Sequence, residues 1–199
     1  EIELIPEPTP VYEVQEINGK LYLVNVETGE YRQDNAWVEN DGKWYFPNAD
    51  GVLYRNQGIT FGSGNLYYLN EDGEKVINQI VHYANNLYLL DDSGKSRTDN
   101  KWVDLETGYY FPNLEGKLYK NCWITFGPNI SHYMGDDGAA YLGVRELSNN
   151  LYLFDDINFQ RGVLRKDNAW VEYESNYYFP NTDGVLYRNQ GITFGSGNL

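Results

Sequence analysis

Short runs of alternating apolar and polar residues, each stopped by a turn signal, fill the chain from about Val11 onward. WVENDGKWYF at 37–46, ITFGSGNLYYL at 59–69 and VHYANNLYLL at 81–90 show the pattern. In each, two β-prone stretches flank a short Gly- or Asn-containing turn, which predicts a β-hairpin. The N-x-D-G or N-x-E-G that follows predicts a second turn, with Gly supplying a positive φ. No segment combines a sustained helical period with capping residues, so no helix is expected. A lone two-stranded hairpin is marginal in water, so these hairpins must bury their apolar faces against one another.

The pattern repeats with a unit of about 22 residues. Its marker is a tyrosine in the second run: Tyr22, Tyr45, Tyr67, Tyr88, Tyr110, Tyr133, Tyr152 and Tyr178, with a slip near Ser131 and an insertion near 157–162. The residue after it (Leu23, Phe46, Tyr68, Leu89, Phe111, Met134, Leu153, Phe179) forms one apolar column. The residue eight before it (Val14, Trp37, Ile59, Ile80, Trp102, Thr125, Val144, Trp170) forms another, and the slip places Ile124 or Trp123 where Thr125 breaks it. Near-uniform columns of this kind predict an all-β solenoid of tandem hairpins over residues 11–199, about eight complete units and a truncated ninth. Residues 1–10, EIELIPEPTP, read as an extended linker.

A longer period overlies the short one. Asp34–Leu66 returns at Asp167–Leu199 with changes only at 40–44 and 49, and a looser copy occupies Asp99–Asn129. The long period equals three hairpins, so Trp37, Trp102 and Trp170 mark every third unit. With a two-residue turn at Asp41-Gly42, Trp37 faces Phe46 and Glu39 faces Trp44, which puts both tryptophans on one hairpin face. The second copy stops at Leu199 where the first continues to Tyr67, and the chain begins at Glu1, so a processed or cut piece of a longer array is expected.

Charge narrows the partners. With 15 Lys and Arg against 29 Asp and Glu, the net charge of −14 repels nucleic acid and anionic membrane surfaces. No apolar run is long enough for membrane insertion as a helix. The 19 Tyr and 5 Trp exceed what a core of this size needs, and such side chains stack on sugars and cationic head groups. Catalytic chemistry is not expected. Asp91-Asp92, Asp136-Asp137 and Asp155-Asp156 recur at one turn position, where Asp bonds its local backbone, whereas a glycosidase needs carboxylates converging across a pocket. His82, His132 and the lone Cys122 occupy unlike places and make no metal cluster, and Cys122 reads as a small apolar filler. No cofactor motif is present.

The unit GKWYFPNADGVLY preceded by AWV resembles the cell-wall-binding repeats of Gram-positive surface proteins: choline-binding repeats, glucan-binding repeats of glucansucrases, and related clostridial toxin repeats. The resemblance covers nearly the whole chain. It implies a spiral with about three hairpins per turn, no enzyme activity, and ligand sites between consecutive hairpins lined by aromatic residues. Carried over by motif, those aromatics are Trp37, Trp102 and Trp170 from the first strand, and Trp44, Tyr109 and Tyr177 from the second. Only every third unit has the first-strand tryptophan, so a continuous series of choline boxes cannot be built.

Two readings of these six residues stand side by side. They form an aromatic shelf for a repeating polymer, bound through many weak contacts, or they are core residues filling one corner of the spiral. The corresponding expectations are a secreted, surface-located module that binds cell-wall or extracellular polysaccharide, with a choline-like cation as a further ligand, and alternatively a stalk or protein-binding region of an adhesin. Open strand edges at the array ends predict self-association.

Overall fold

The computed structural model describes residues 10–62, 64–155 and 161–193. The expected linker and most of the truncated ninth unit lie outside these residues. Among the described residues there is no helix, and every strand belongs to an antiparallel hairpin or its extension.

The chain divides into two compact units, residues 1–99 with 114–117, and residues 100–113 with 118–199. The first unit holds four hairpins. They are β1 (Tyr12–Ile17) with β2 (Lys20–Asn25), β3 (Val38–Asn40) with β4 (Lys43–Tyr45), β5 (Gln57–Thr60) with β6 (Leu66–Leu69), and β7 (Ile80–Tyr83) with β8 (Asn86–Leu89). The second unit begins with β9 (Val103–Leu105) and β10 (Gly108–Tyr110), then β11 (Cys122–Phe126) and β12 (Ile130–Met134). It continues with β13 (Gly143–Leu147) and β14 (Asn150–Asp155), to which the short β15 (Val163–Leu164) adds a third strand, and ends on β16 (Val171–Tyr173) and β17 (Asn176–Tyr178).

Two-residue turns with both residues at positive φ close most of these hairpins, because that turn follows the natural strand twist. Asp41 (φ 52) and Gly42 (φ 74) form one, and Glu39 therefore pairs with Trp44 as expected. The same turn in the last hairpin is built from Glu174 (φ 49) and Ser175 (φ 63), residues that carry a steric cost in the left-handed region. Ser175→Gly is expected to stabilise the last hairpin by about 1 kcal/mol. A rise in its local protection in amide hydrogen exchange would show this.

Successive hairpins are joined by one recurring contact. The segment after each second turn donates a backbone hydrogen bond to the second strand of the preceding hairpin. Leu53 donates to Leu21 (2.8 Å), Lys75 to Trp44 (2.7 Å) and Ser96 to Leu66 (2.8 Å) in the first unit. In the second, Ala140 donates to Tyr109 (2.8 Å) and Leu186 to Leu151 (2.8 Å). The second turns are held by a side-chain carbonyl or carboxylate. Asn48, Asn70 and Asn181 each accept two backbone amides, and Asp91 accepts Ser93 and Lys95, so the acidic residue at that position does turn chemistry. Burial works against the Asp91 charge, but the Ser93 hydroxyl and these amides outweigh it and hold the carboxyl below its usual range.

The column after the marker tyrosine is buried at Leu23, Phe46, Leu89, Phe111, Leu153 and Phe179. A second column one residue further on packs more tightly still: Pro47, Leu69, Leu90, Met134 and Phe154 are fully buried. The sixth hairpin needs a correction. Gly135 donates to Ala139 as Asn70 does to Glu74, so the marker position three residues earlier is His132 and not Tyr133. Met134 thus belongs to the second buried column. Ile124 pairs with His132 and is buried, which restores the apolar column that Thr125 broke.

Candidate functional site

The three Trp-bearing hairpins start from near-identical sequence and end in different surroundings. In the first, Trp37 precedes β3 and sits half-buried in a cluster of rings. Its indole meets Phe46 edge-on at 5.3 Å, Tyr67 at 5.3 Å and Phe61 at 6.2 Å. Trp44, on the same hairpin face, is exposed. Between them comes Lys75, whose Nζ lies 5.2 Å from the Trp37 ring and 4.9 Å from the Trp44 ring.

At the second hairpin Ala140 takes the place of Lys75, and without a long side chain there the two aromatics close on each other. Trp102 and Tyr109 are stacked, with centroids 4.3 Å apart and planes 5° from parallel. Phe111, Phe126 and His132 surround Trp102 as Phe46, Phe61 and Tyr67 surround Trp37. A cleft of about 270 Å³ in the same unit is lined by Glu106, Thr107, Asp137, Tyr141, Arg145 and Arg161 among others, and the stacked rings themselves are not part of its lining. Arg161 pairs with Asp104, the cross-strand partner of Tyr109. Hydroxyl, carboxylate and guanidinium groups around the Tyr141 ring can hydrogen-bond sugar hydroxyls.

For the third hairpin, the segment that follows it lies outside the described residues. Trp170 touches Phe179 edge-on at 5.4 Å but is 56% exposed, and Tyr177 is 65% exposed. Glu172 pairs with Tyr177 across the strands and accepts its hydroxyl at 3.3 Å.

Several contributors escaped the sequence reading. Lys75 is one. A second is an Arg-x-Asp pair before each Trp-bearing hairpin: Arg32 with Asp34, Arg97 with Asp99, and Arg165 with Asp167. Each Asp is followed by an Asn at positive φ (Asn35, Asn100, Asn168) that redirects the chain toward the tryptophan. The signal, R-x-D-N-x-W in all three copies, was present in the sequence. A third is Trp123, exposed on β11 and within ring contact of Tyr133, Tyr152 and Phe154. Cys122 is half-buried and burial pushes its thiol pKa up, which suits a filler and not a nucleophile.

Known proteins share features with this chain. No protein-family profile matches the chain. Glucosyltransferase-S of Streptococcus mutans is 29% identical over 150 residues, 72% of this chain and 10% of that protein. Glucosyltransferase-I of Streptococcus downei is 26% identical over 155 residues, 77% of this chain and 9% of that protein. Choline binding protein F of Streptococcus pneumoniae superimposes with a TM-score of 0.55 at 16% identity, over 92% of this chain and 67% of that one. The chain is thus similar in sequence to parts of two streptococcal glucosyltransferases and shares the fold of choline binding protein F. A second structure of choline binding protein F, solved in the presence of a peptidoglycan analogue, gives a TM-score of 0.56 at 18% identity, over 90% of this chain and 58% of that one. The repeats span about a tenth of the curated relatives they match.

Proposed function

We propose that this chain is a non-catalytic binding module that holds an exported protein to a bacterial envelope or extracellular polysaccharide. The repeats would wind into a solenoid with about three hairpins per turn, and the Trp-bearing hairpins would supply the contacts. The observation that carries the reading is the first of them, where Trp44 stays 42% exposed on the same hairpin face as Trp37 with the following hairpin in place. The polar cleft around Thr107, Tyr141 and Arg145 supports a neutral saccharide, and the sequence likeness to two glucosyltransferases makes a glucan the first polymer to test. Each stacking contact is weak, so retention on a polymer depends on several acting together.

Immobilised α-glucan, purified cell walls and a choline resin form the test. Retention on glucan or walls, released by soluble polymer and reduced in Trp44→Ala without loss of fold, is expected. No retention on any of the three at low or high salt would overturn the proposal. A stalk role is the second reading, favoured by the packing of Trp37 and Trp102 inside ring clusters. It predicts that no aromatic substitution alters retention.

A further inference from the structure

The Trp37–Trp44 corner holds an ammonium that belongs to the protein itself. Lys75 follows the second turn after β6, and its backbone amide donates to the Trp44 carbonyl at 2.7 Å, which fixes the lysine beside the second tryptophan. Its stem runs over Gly94, where a Cβ would approach the Lys75 Cδ and Cγ to 3.1 and 3.2 Å and the Val76 carbonyl oxygen to 2.9 Å. Gly94 also sits at φ +82, so glycine there serves both the turn and the passage of the lysine. The ammonium ends within cation–π reach of both indoles, with Tyr67 and Phe61 backing Trp37.

The neighbouring lysine behaves differently. Lys43 pairs with Glu74 at 2.5 Å in the ordinary way of a surface cation. Lys75 is half-buried, and burial lowers its pKa from the usual lysine value despite the favourable charge of Asp91. Placing a cation against two aromatic faces under partial burial is the arrangement by which proteins recognise quaternary ammonium ligands. Position for position, the second Trp-bearing hairpin has Ala140 here and the smaller Tyr109 in place of Trp44, and its two rings stack with no cation between them.

We propose that Lys75 is an internal occupant of a cation cage formed by Trp37 and Trp44, and that it sets the specificity of this corner. While Lys75 fills the cage, free ammonium compounds are refused. Shortening the side chain opens the cage to a small quaternary ammonium ion. The inference stands on the position of the lysine and is independent of whether the module binds a glycan.

Tetramethylammonium is the probe, titrated against the wild-type chain, Lys75→Ala and the double variant Lys75→Ala/Trp44→Ala, with tryptophan fluorescence as readout. Lys75→Ala is expected to show a saturable response at least about tenfold tighter than wild type, and the double variant is expected to lose it. In the wild-type protein the Lys75 Hε resonances should be shifted upfield by the indole ring currents and should return to ordinary lysine positions in Trp44→Ala. The resonance measurement needs no folded Lys75 variant. Identical titrations of wild type and Lys75→Ala, an instance of direct Trp37–Trp44 stacking that keeps Lys75→Ala closed, or unshifted Lys75 resonances would each overturn the proposal. Glucan retention is measured on separate beads, so its failure leaves this outcome untouched.

Discussion

Acidification from pH 7 to pH 4 is expected to cost the second unit about 3 kcal/mol through His132 alone. This residue occupies the marker position that tyrosine fills in the other hairpins, and it is buried against Trp102 and Phe126. Its Nδ1 has no hydrogen-bond partner among the described residues. Burial therefore favours the neutral ring and pushes its pKa from 6.5 down to about 4, with the Gly162 backbone acting weakly in the other direction. In the unfolded chain the imidazole takes its proton near its ordinary pKa. Between about pH 6.5 and pH 4 the unfolded state thus binds more protons than the folded one, and stability falls as pH falls. The contribution is fully present above that window and fully lost below it. His132→Tyr restores the residue type of the other hairpins and removes the titration, so its stability should be nearly flat across the window even if the larger ring lowers the baseline. Urea midpoints measured at several pH values between 7 and 4 check this, and equal slopes for the two proteins would sink it. The carboxylates Asp34 and Asp167, held below their usual range chiefly by hydrogen bonds from Arg32 and Arg165, lose their charge at lower pH and so do not account for this limb.

The hairpins were legible because their signals are local. A two-residue Asp-Gly turn sets the register of its own strands, and the Glu39–Trp44 pairing follows from it. The apolar columns were legible for the same reason, since each is read within one unit. The sixth hairpin was misread because of its turn, where Phe126 pairs with Ile130 around a loop longer than the two-residue turns. A tyrosine adjacent to His132 drew the marker one residue off. The surroundings of the three tryptophans were not legible because they are decided by the following hairpin. Lys75, Ala140 and their equivalents reach the preceding second strand by a backbone bond that no local pattern announces. Rings of the following hairpin enclose Trp37, while Trp44 of the same block stays 42% exposed beside it.

That difference has a measurable consequence at positions of the same sequence motif. Trp37→Ala and Trp102→Ala should each destabilise by about 3 kcal/mol, since each removes the central ring of a cluster and leaves a cavity among Phe46, Phe61 and Tyr67, or among Phe111, Phe126 and His132. Trp44→Ala removes an indole that is 42% exposed with the following hairpin in place, so its cost should stay within about 1 kcal/mol while the Lys75 ammonium is freed to water. Amide hydrogen exchange resolves the units separately, which a single unfolding midpoint does not when hairpins open one at a time. The expected order is a loss of protection across β3–β6 for Trp37→Ala, across β9–β12 for Trp102→Ala, and little change for Trp44→Ala. Equal losses at all three would mean that the indoles serve one packing role and that the exposed Trp44 is no ligand face. A small loss at Trp44 together with abolished polymer retention would instead separate the residues that hold the fold from those that hold the ligand.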